Sequence, residues 1–483
     1  MSGESGRGLI KNLNIWEAIG ISVALMAPSM AANINPQGTA TTVGRAVPLA
    51  FALATVGVLL VAYGFVRLCQ NFNHAGSVYG FVGATMGPRS GLVAGWGLMG
   101  TYIFYGAVTS MAAGIFGAKF LDELGIWKNQ PGWLGFLIGG IAIILAYFLA
   151  VAPARNGTRI LLTVEGVTVT LIIVTAIIVF AKLVGGSGPG GHHVDMSVFS
   201  VPSGTGASSV FLGVVFGFLS FAGFEAASTL GEEAKNPRKD IPRAILGTAI
   251  FGGVYFVLIT AVEVMGFGTD AAGVKAFINS GSLMGDLGTS YVASWVGTTI
   301  TLGAAVSAFG CLLACVVGAS RLLFALGRDS GHAKLSAVSE KNGTPSSATL
   351  VIVIAVAVID FGWKLILNVQ PFDVFVGSGV IGTLILLVAY VLATIGAVKF
   401  LFFSGAKRAK SWEIVIPIAG LLVLAYTLYR NVIPFPTSGA ARAYPIVGAI
   451  WLLIGIVWVI ARPGFAAKVG AKLTADENLS AVH

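Results

Sequence analysis

Two glutamates stand inside long apolar stretches of this chain, where an ionisable side chain is costly and a functional role is the first hypothesis. Glu225 follows a Phe-Ala-Gly-Phe run and can pair either with a cationic ligand or with the protein's own polar groups. Glu165 lies in an otherwise apolar stretch that continues to Phe180. For Glu165 the alternative to a functional role is a salt bridge with a nearby arginine such as Arg159.

The cysteines and histidines give little support for catalysis or metal binding. Cys311 and Cys315 stand four residues apart, but no His or carboxylate lies close in sequence to complete a tetrahedral metal site. We interpret them as small buried hydrophobes. No charge ring or filter loop of a channel is evident either. We therefore expect no enzyme, no cofactor and no metal. The five histidines are scattered over loops and the tail: His74, His192, His193, His332 and His483.

Long apolar runs recur along the chain and indicate a membrane protein. Apolar residues make up 56% of the 483 residues and charged residues only 10%, well below the roughly 25% of soluble domains. Most runs reach the ~20 residues that a helix needs to cross the hydrocarbon. We predict an all-α polytopic membrane protein with twelve transmembrane helices. The runs begin near Ile15, Ala46, Leu92, Leu134, Ile160, Val210, Ile241, Trp295, Ala348, Val374, Ile414 and Tyr444.

The distribution of Lys and Arg predicts how the spans are oriented. With the N-terminus in the cytoplasm, 21 of the 29 Lys and Arg residues fall on the cytoplasmic side and 8 on the other, as the positive-inside rule requires. We expect residues 1–14 to be a cytoplasmic segment, 15–462 a single transmembrane domain and 463–483 a cytoplasmic tail. The pI of about 9.5 then reflects topology and attraction to lipid headgroups, and we expect no nucleic-acid binding.

Two predicted spans are interrupted where an ordinary helix would continue. Pro28 lies inside the first span, where it cannot donate a backbone hydrogen bond and clashes with the preceding turn. Gly217 and Gly223 flank a segment of the sixth span that ends in Glu225. Taken singly, these residues indicate only kinks in packed helices. Paired breaks at corresponding places instead indicate a midplane site, where freed N–H groups meet a carboxylate and freed carbonyls meet an ammonium.

Four blocks of the sequence resemble the amino acid/polyamine/organocation superfamily of permeases. The strongest is FAGFEAASTLGEEAKNPRKDIPRAI, from Phe221 to Ile245, which is similar to the family's sixth span and the loop after it. AGSVYGFVGATMGPRSGLVAGWGLM, from Ala75 to Met99, resembles the second span's end and the third span. ASRLLFALGRDSG, from Ala319 to Gly331, resembles the end of the eighth span. In the first span the chain has Ala-Pro-Ser-Met where the family commonly has a Gly-Ser-Gly-Ile-Phe break, which is a looser match.

The resemblance covers essentially the whole chain and implies a LeuT-type 5+5 inverted repeat with broken helices 1 and 6. It implies a substrate site between the two breaks. Because Glu is the family's usual residue at the position of Glu225, we interpret that residue mainly as organising the break. Tyr102 and Tyr105 on the third span are candidates to stack against substrate, and packing is the alternative. The predicted substrate-binding residues are Ala27, Pro28, Ser29, Met30 and Ala31 for a carboxylate, Phe221, Ala222 and Gly223 for an ammonium, Phe224 to shape the pocket, and Glu225 and Tyr102.

Ion coupling is predicted on the fifth span. In the family's proton-driven members a titratable group there takes the place of a sodium ion, so the resemblance implies Glu165, or the Thr168 hydroxyl, as the ion-coupling group. A proton carrier must hold its proton near neutral pH, and burial of a carboxyl group favours this. A proton is the first expectation and sodium the second.

The function that the resemblance implies is secondary active transport. We expect proton-coupled movement of an amino acid or related amine across the cytoplasmic membrane by alternating access. The alternatives are an amino acid or amine exchanger and a transporter-like nutrient sensor. The expected partners are the small-molecule substrate, the coupling proton or sodium ion, and membrane lipid.

Overall fold

Helices make up every regular element in the part of the chain that the computed structural model describes, which is residues 14–72, 77–152, 156–230, 234–330, 334–335, 337–338, 344–405, 408–437 and 439–465. Of the predicted N-terminal segment and C-terminal tail, only Asn14 and residues 463–465 lie within it. Its α-helices are α1 Ile15–Met26, α2 Pro28–Val43, α3 Val47–Asn71, α4 Ser77–Met86, α5 Pro88–Glu123, α6 Leu134–Val151, α7 Asn156–Val184, α8 Val210–Phe221, α9 Pro237–Phe267, α10 Ala271–Ile278, α11 Leu283–Tyr291, α12 Ser294–Ser330, α13 Ser346–Leu367, α14 Pro371–Val398, α15 Val415–Val432 and α16 Ala443–Ala461.

Ten segments of the described residues are long and apolar enough to cross a membrane, by length and composition. The sequence predicts twelve. One of the ten is the 57-residue stretch Ile15–Asn71, which holds two of the predicted spans. The stretch Ala207–Phe221 falls short of a full span because the helix ends at the predicted break. The all-helical, multi-pass architecture is confirmed, and the count of twelve stays a prediction.

The first break separates α1 from α2 at one residue. Ala27 has the left-handed angles φ 45° and ψ 58°, which cost a non-glycine residue roughly 1–2 kcal/mol. Pro28 follows as the first residue of α2, the position where its missing N–H and fixed φ are tolerated. At its other end α1 is fixed by a capping box between Asn14 and Glu17. Pro28 therefore starts a new helix within the predicted span.

The second break follows α8. Ala222 leaves the helical angles and Gly223 has φ +103°, a value that an L side chain rarely adopts. A Cβ atom on Gly223 would lie 2.9 Å from the Cβ of Leu25 on α1. The chain then makes a short 3₁₀ turn, Ala226–Leu230, before α9. Glycine is needed here both for its φ and for the close approach of the two breaks.

Antiparallel helices surround the broken ones. The 36-residue α5 packs against both α12 and α14, and a Cβ on Gly382 of α14 would lie 2.8 Å from the Tyr105 ring of α5. α3 packs along α9, and α2 along α8. We call the side at which α1 begins the N-terminal face, and the side at which α2 ends the opposite face.

Candidate functional site

One serine ties the two breaks together. Ser22 of α1 donates a hydrogen bond to the Phe224 carbonyl (3.2 Å), and its Oγ accepts one from the Ala227 amide (2.9 Å). Both partners belong to the segment after α8, about two hundred residues further along the chain. Together with the contact between Leu25 and Gly223, this bridge brings the two predicted breaks side by side.

A small cavity lies between the breaks and α5, α12 and α14. Its volume is about 10 Å³, enough for roughly one water molecule. Binding any larger ligand there requires the helices to separate. Of the predicted substrate residues, Tyr102, Ala222, Gly223 and Glu225 line it. Tyr105, the other candidate to stack against substrate, lines it as well. The residues that sequence reasoning did not place there are Leu25, Leu98, Thr101, Cys311, Cys315 and Leu386.

Glu225 is the only carboxylate among the residues that line this cavity. Its Oε2 accepts a hydrogen bond from the Tyr390 hydroxyl of α14 (2.9 Å). The rings of Tyr390, Phe224 and Phe65 pack edge to face with centroids 5.7–5.8 Å apart. Phe224 therefore lies behind the cavity, in an aromatic cluster that holds the Glu225 segment against α3 and α14.

The carbonyls predicted for ammonium binding are partly engaged. The Phe221 carbonyl accepts from the Phe224 amide (3.0 Å), and the Gly223 carbonyl accepts from the Ala226 amide (2.9 Å). The Phe221 side chain is buried and packs edge-on against Phe256 of α9. These bonds stabilise the turn itself, and Glu225 adds a carboxylate to the same cavity wall.

The amides at the start of α2 are bound by side chains of two other helices. The Ser29 amide donates to Glu165 Oε1 of α7 (2.8 Å), and the Met30 amide donates to Ser307 Oγ of α12 (3.2 Å). The Ala31 amide already makes the first intrahelical bond, to the Ala27 carbonyl (2.8 Å). Glu165 thus does from a neighbouring helix what an N-cap residue does locally, with its negative charge at the positive end of the helix dipole.

Glu165 is buried, with 5% of its surface exposed, and that exposure opens onto a second cavity. This cavity measures about 350 Å³ and is lined by Ala24 near the break end of α1, by the end of α6, by the first turns of α7 and by α12 from its middle to Arg321. Ser307 borders it next to Glu165, and Arg321 lies further towards the N-terminal face. The arginines considered for a salt bridge have side chains outside the described residues. Glu165 therefore lies between this 350 Å³ cavity and the helix break.

Thr168 lies one turn beyond Glu165 and is turned towards its own helix. Its hydroxyl donates to the Val164 carbonyl (2.8 Å), and its side chain packs against Gly303 of α12. Of the two predicted ion-coupling residues, Glu165 contacts the break between α1 and α2, whereas Thr168 packs against α12.

At the opposite face, α2 is bound to the segment that contains α10 and α11. Gln37 Nε2 donates to three carbonyls, of which that of Ser280 is the nearest at 2.6 Å. Asn33 Oδ1 accepts from the Ser282 hydroxyl and from the amides of Met284 and Gly285. This side is therefore closed by a polar network. The sequence analysis did not predict this network, although the amide side chains of Asn33 and Gln37 in an apolar span could have indicated it.

No group of three or more His, Cys, Asp and Glu residues suited to a metal ion occurs within the described ranges. The Cys311 thiol donates to the Leu25 carbonyl (3.1 Å). Cys69, Cys311 and Cys315 are all free and buried. Cys311 and Cys315 thus contribute to the wall of the small cavity.

Comparison with known proteins places this architecture in a family. The chain is 24% identical over 472 residues to a low-affinity putrescine importer, PlaP, of Escherichia coli, with 93% of each chain covered. It is 29% identical over 338 residues to a branched-chain amino acid permease, BcaP, of Lactococcus lactis, with 66% of this chain and 70% of the relative covered. It is 23% identical to cationic amino acid transporter 6 of Arabidopsis thaliana, with 94% and 76% covered. The profile of the amino acid permease family matches residues 16–469, and the chain belongs to that family of multi-pass membrane transporters.

Proposed function

We propose that this protein is a secondary active transporter that moves an amino acid or related amine across the cytoplasmic membrane by alternating access, coupled to protons through Glu165. The observation that carries the proposal is the hydrogen bond from the Ser29 amide to Glu165 at the broken helix. A carboxyl group that binds the break and borders a cavity open towards one face can link its own protonation to the position of α1.

The coupling step follows from helix electrostatics. Ionised Glu165 accepts the Ser29 hydrogen bond and its charge is favoured at the start of α2. Protonation removes that charge and weakens the bond, because charge-assisted hydrogen bonds are roughly twice as strong as neutral ones. The break is then less firmly bound to α7, and α1 is freer to move relative to the rest of the bundle.

The two faces differ in a way that suits alternating access. The network of Asn33 and Gln37 closes the opposite face, while the larger cavity reaches Glu165 from the N-terminal face. With the N-terminal face in the cytoplasm, as the cation distribution favours, a proton on Glu165 would leave to the cytoplasm in this conformation. Both chain ends would then be cytoplasmic.

The transmembrane arrangement that we propose has twelve spans and a 5+5 inverted repeat of the LeuT type. The position of the breaks supports it: one lies in the first predicted span and the other in the sixth, the first of the second half. The ten segments counted by length and composition become twelve when Ile15–Asn71 is divided at the turn before α3 and the broken Ala207–Phe221 segment is included.

The small cavity favours a substrate with an ammonium group. Glu225 supplies a negative charge there, and the rings of Tyr102 and Tyr105 lie beside it; aromatic faces attract cations. A substrate carboxylate would bind the Ser29 and Met30 amides only if it displaced Glu165 and Ser307. Amino acids and amines without a carboxylate therefore both belong in the substrate panel, as the named substrates of the relatives also suggest.

Uptake into liposomes that contain the purified protein tests the proposal. Labelled amino acids and polyamines are offered with and without an inward proton gradient, in the absence of sodium. We expect saturable uptake of at least one compound, stimulated by the gradient in the wild type and in Glu17→Gln, but not in Glu165→Gln. Glu17 is the matched control because it is an exposed carboxylate on α1 that only caps its own helix.

Other outcomes assign other functions. Uptake that requires substrate inside the vesicles and ignores the proton gradient would make the protein an exchanger. Binding without transport of any compound would favour the sensor. Gradient-stimulated uptake that persists in Glu165→Gln would refute the role of that residue.

A further inference from the structure

The last turn of α1 has a carbonyl group that its own helix leaves without a donor. In an unbroken helix the Leu25 carbonyl would accept a hydrogen bond from the amide four residues on, which is that of Ser29. The chain turns at Ala27, and the Ser29 amide donates to Glu165 Oε1 instead (2.8 Å). The last carbonyls of a helix need donors from elsewhere, so the break leaves the Leu25 carbonyl to a group outside α1.

A thiol of α12 supplies that donor. Cys311 Sγ lies 3.1 Å from the Leu25 carbonyl oxygen and donates to it. The cysteine is buried, with 6% of its surface exposed. Because a thiol is only a weak hydrogen-bond donor, a stronger donor that reaches the same carbonyl can replace it.

Leu25 and Cys311 both line the small cavity, and so does Glu225. The carbonyl carbon of Leu25 would lie 3.1 Å from a Cβ on Gly223, so the thiol's bond is made where the two breaks meet. The carbonyls at the end of α1 carry the negative end of the helix dipole, and Glu225 adds a carboxylate to the same wall. This wall favours a cation, and an ammonium group is a stronger donor than a thiol because charge-assisted hydrogen bonds are roughly twice as strong as neutral ones.

We propose that Cys311 sets the affinity of the site, because its thiol occupies the Leu25 carbonyl in the empty protein and yields that carbonyl to the ammonium group of the substrate. This inference rests on the proposed transport of an amino acid or amine, and it adds a residue that competes with the substrate. No covalent bond changes and the thiol keeps its proton. Each binding event has to break the thiol's hydrogen bond, which lowers the affinity for substrate.

Equilibrium binding to the purified full-length protein tests the inference. The probes are radiolabelled putrescine, leucine and arginine, each of which carries an ammonium group, and the dissociation constant Kd is measured for each. Cys311→Ala removes the competing donor and leaves the Leu25 carbonyl free in the empty protein. We expect it to lower the Kd of every probe that the wild type binds by about two- to tenfold, the effect of one neutral hydrogen bond.

The direction of the change separates competition from a merely structural role. If the thiol's bond only stabilised the junction of the two breaks, Cys311→Ala would raise Kd, and that result would overturn the inference. Cys315→Ala removes the same group from the same wall, one turn further along α12, and keeps the bond between Cys311 and Leu25. A decrease in Kd as large as that of Cys311→Ala would mean that added volume is the cause, and the inference would fail.

Cys69 provides the matched control. It is a free, buried cysteine on α3 and is not among the residues that line the small cavity. Cys69→Ala should bind the probes as the wild type does. A lower Kd in Cys69→Ala as well would show that the loss of any buried thiol tightens binding, which contradicts a specific role of Cys311.

The S–H stretching band of Cys311 tests the displacement directly. Infrared spectra are recorded for the double variant Cys69→Ala/Cys315→Ala, which keeps one of the chain's three cysteines. Hydrogen bonding lowers the S–H stretching frequency, so saturation with a bound probe should move the band to higher frequency. A band that stays in place when the probe binds would refute the displacement. This measurement decides the question if Cys311→Ala gives no folded protein.

Failure of this inference is distinguishable from failure of the proposed function. A wild type that binds and exchanges a probe, together with Cys311→Ala of equal or higher Kd, would overturn the inference and leave the proposed function standing. A wild type that binds none of the three probes would also overturn it, and the liposome uptake panel then decides the proposed function separately.

Discussion

Substituting Gly223 tests whether the two breaks must touch. The residue has φ +103°, where a side chain costs about 1–3 kcal/mol in backbone strain. The new methyl group would lie 2.9 Å from two carbon atoms of Leu25, and crowding of that kind adds typically about 1–3 kcal/mol. Gly223→Ala should therefore destabilise the junction of α1 with the second break by about 2–6 kcal/mol. The bridge through Ser22 should open, since it spans the same junction.

The assay compares Gly223→Ala with Gly247→Ala in detergent and in liposomes. Gly247 lies in α9, has no neighbouring atom within 4 Å of an added Cβ and keeps a helical φ, so alanine there should be harmless. We expect Gly223→Ala to melt at a clearly lower temperature and to lose substrate exchange, and Gly247→Ala to match the wild type in both. If the two variants behave alike, the close contact between the breaks is not needed and the reasoning fails.

Three further substitutions test single contacts. Tyr390→Phe removes the hydroxyl that donates to Glu225. A buried carboxylate that loses its hydrogen-bond donor costs about 1–3 kcal/mol. The KM for substrate should therefore rise about tenfold, and an unchanged KM would contradict this. Asn33→Ala removes the acceptor of three hydrogen bonds at the opposite face. If this costs about 1.4 kcal/mol, labelling of a cysteine placed at Ala40 by a membrane-impermeant reagent should rise about tenfold. Equal labelling would show that Asn33 does not hold this face closed. Thr168→Val should keep gradient-driven uptake within about twofold, because the hydroxyl bonds only within its own helix; loss of the gradient response would make Thr168 part of the coupling site.

The places where the backbone departs from a helix could be predicted from sequence. Pro28 cannot continue a helix, and Gly223 can adopt backbone angles that other residues avoid. The residue types alone therefore indicate both breaks. Family resemblance then predicts which residues bind the substrate. The structure brings four of them to one cavity, Tyr102, Ala222, Gly223 and Glu225.

What occupies the start of α2 could not be predicted from local sequence. Ser29 and Glu165 are 136 residues apart in the chain, and only the packing of α7 against α2 brings them together. The sequence suggested that the amides there await a substrate carboxylate, whereas Glu165 and Ser307 bind two of them. The sequence pattern also cannot show whether a buried acid has a hydrogen-bond partner; neither carboxylate oxygen of Glu263 has one among the described residues.

Proton movement on substrate addition tests the central claim most directly. A pH-sensitive dye is enclosed in proteoliposomes at equal pH on both sides, and external substrate is added with the membrane potential held at zero. We predict that the lumen acidifies with the wild type and with Glu17→Gln, and that Glu165→Gln gives no acidification above the leak while it still exchanges substrate. Uptake by the wild type without acidification, or acidification by Glu165→Gln equal to that of the wild type, would contradict proton coupling through Glu165.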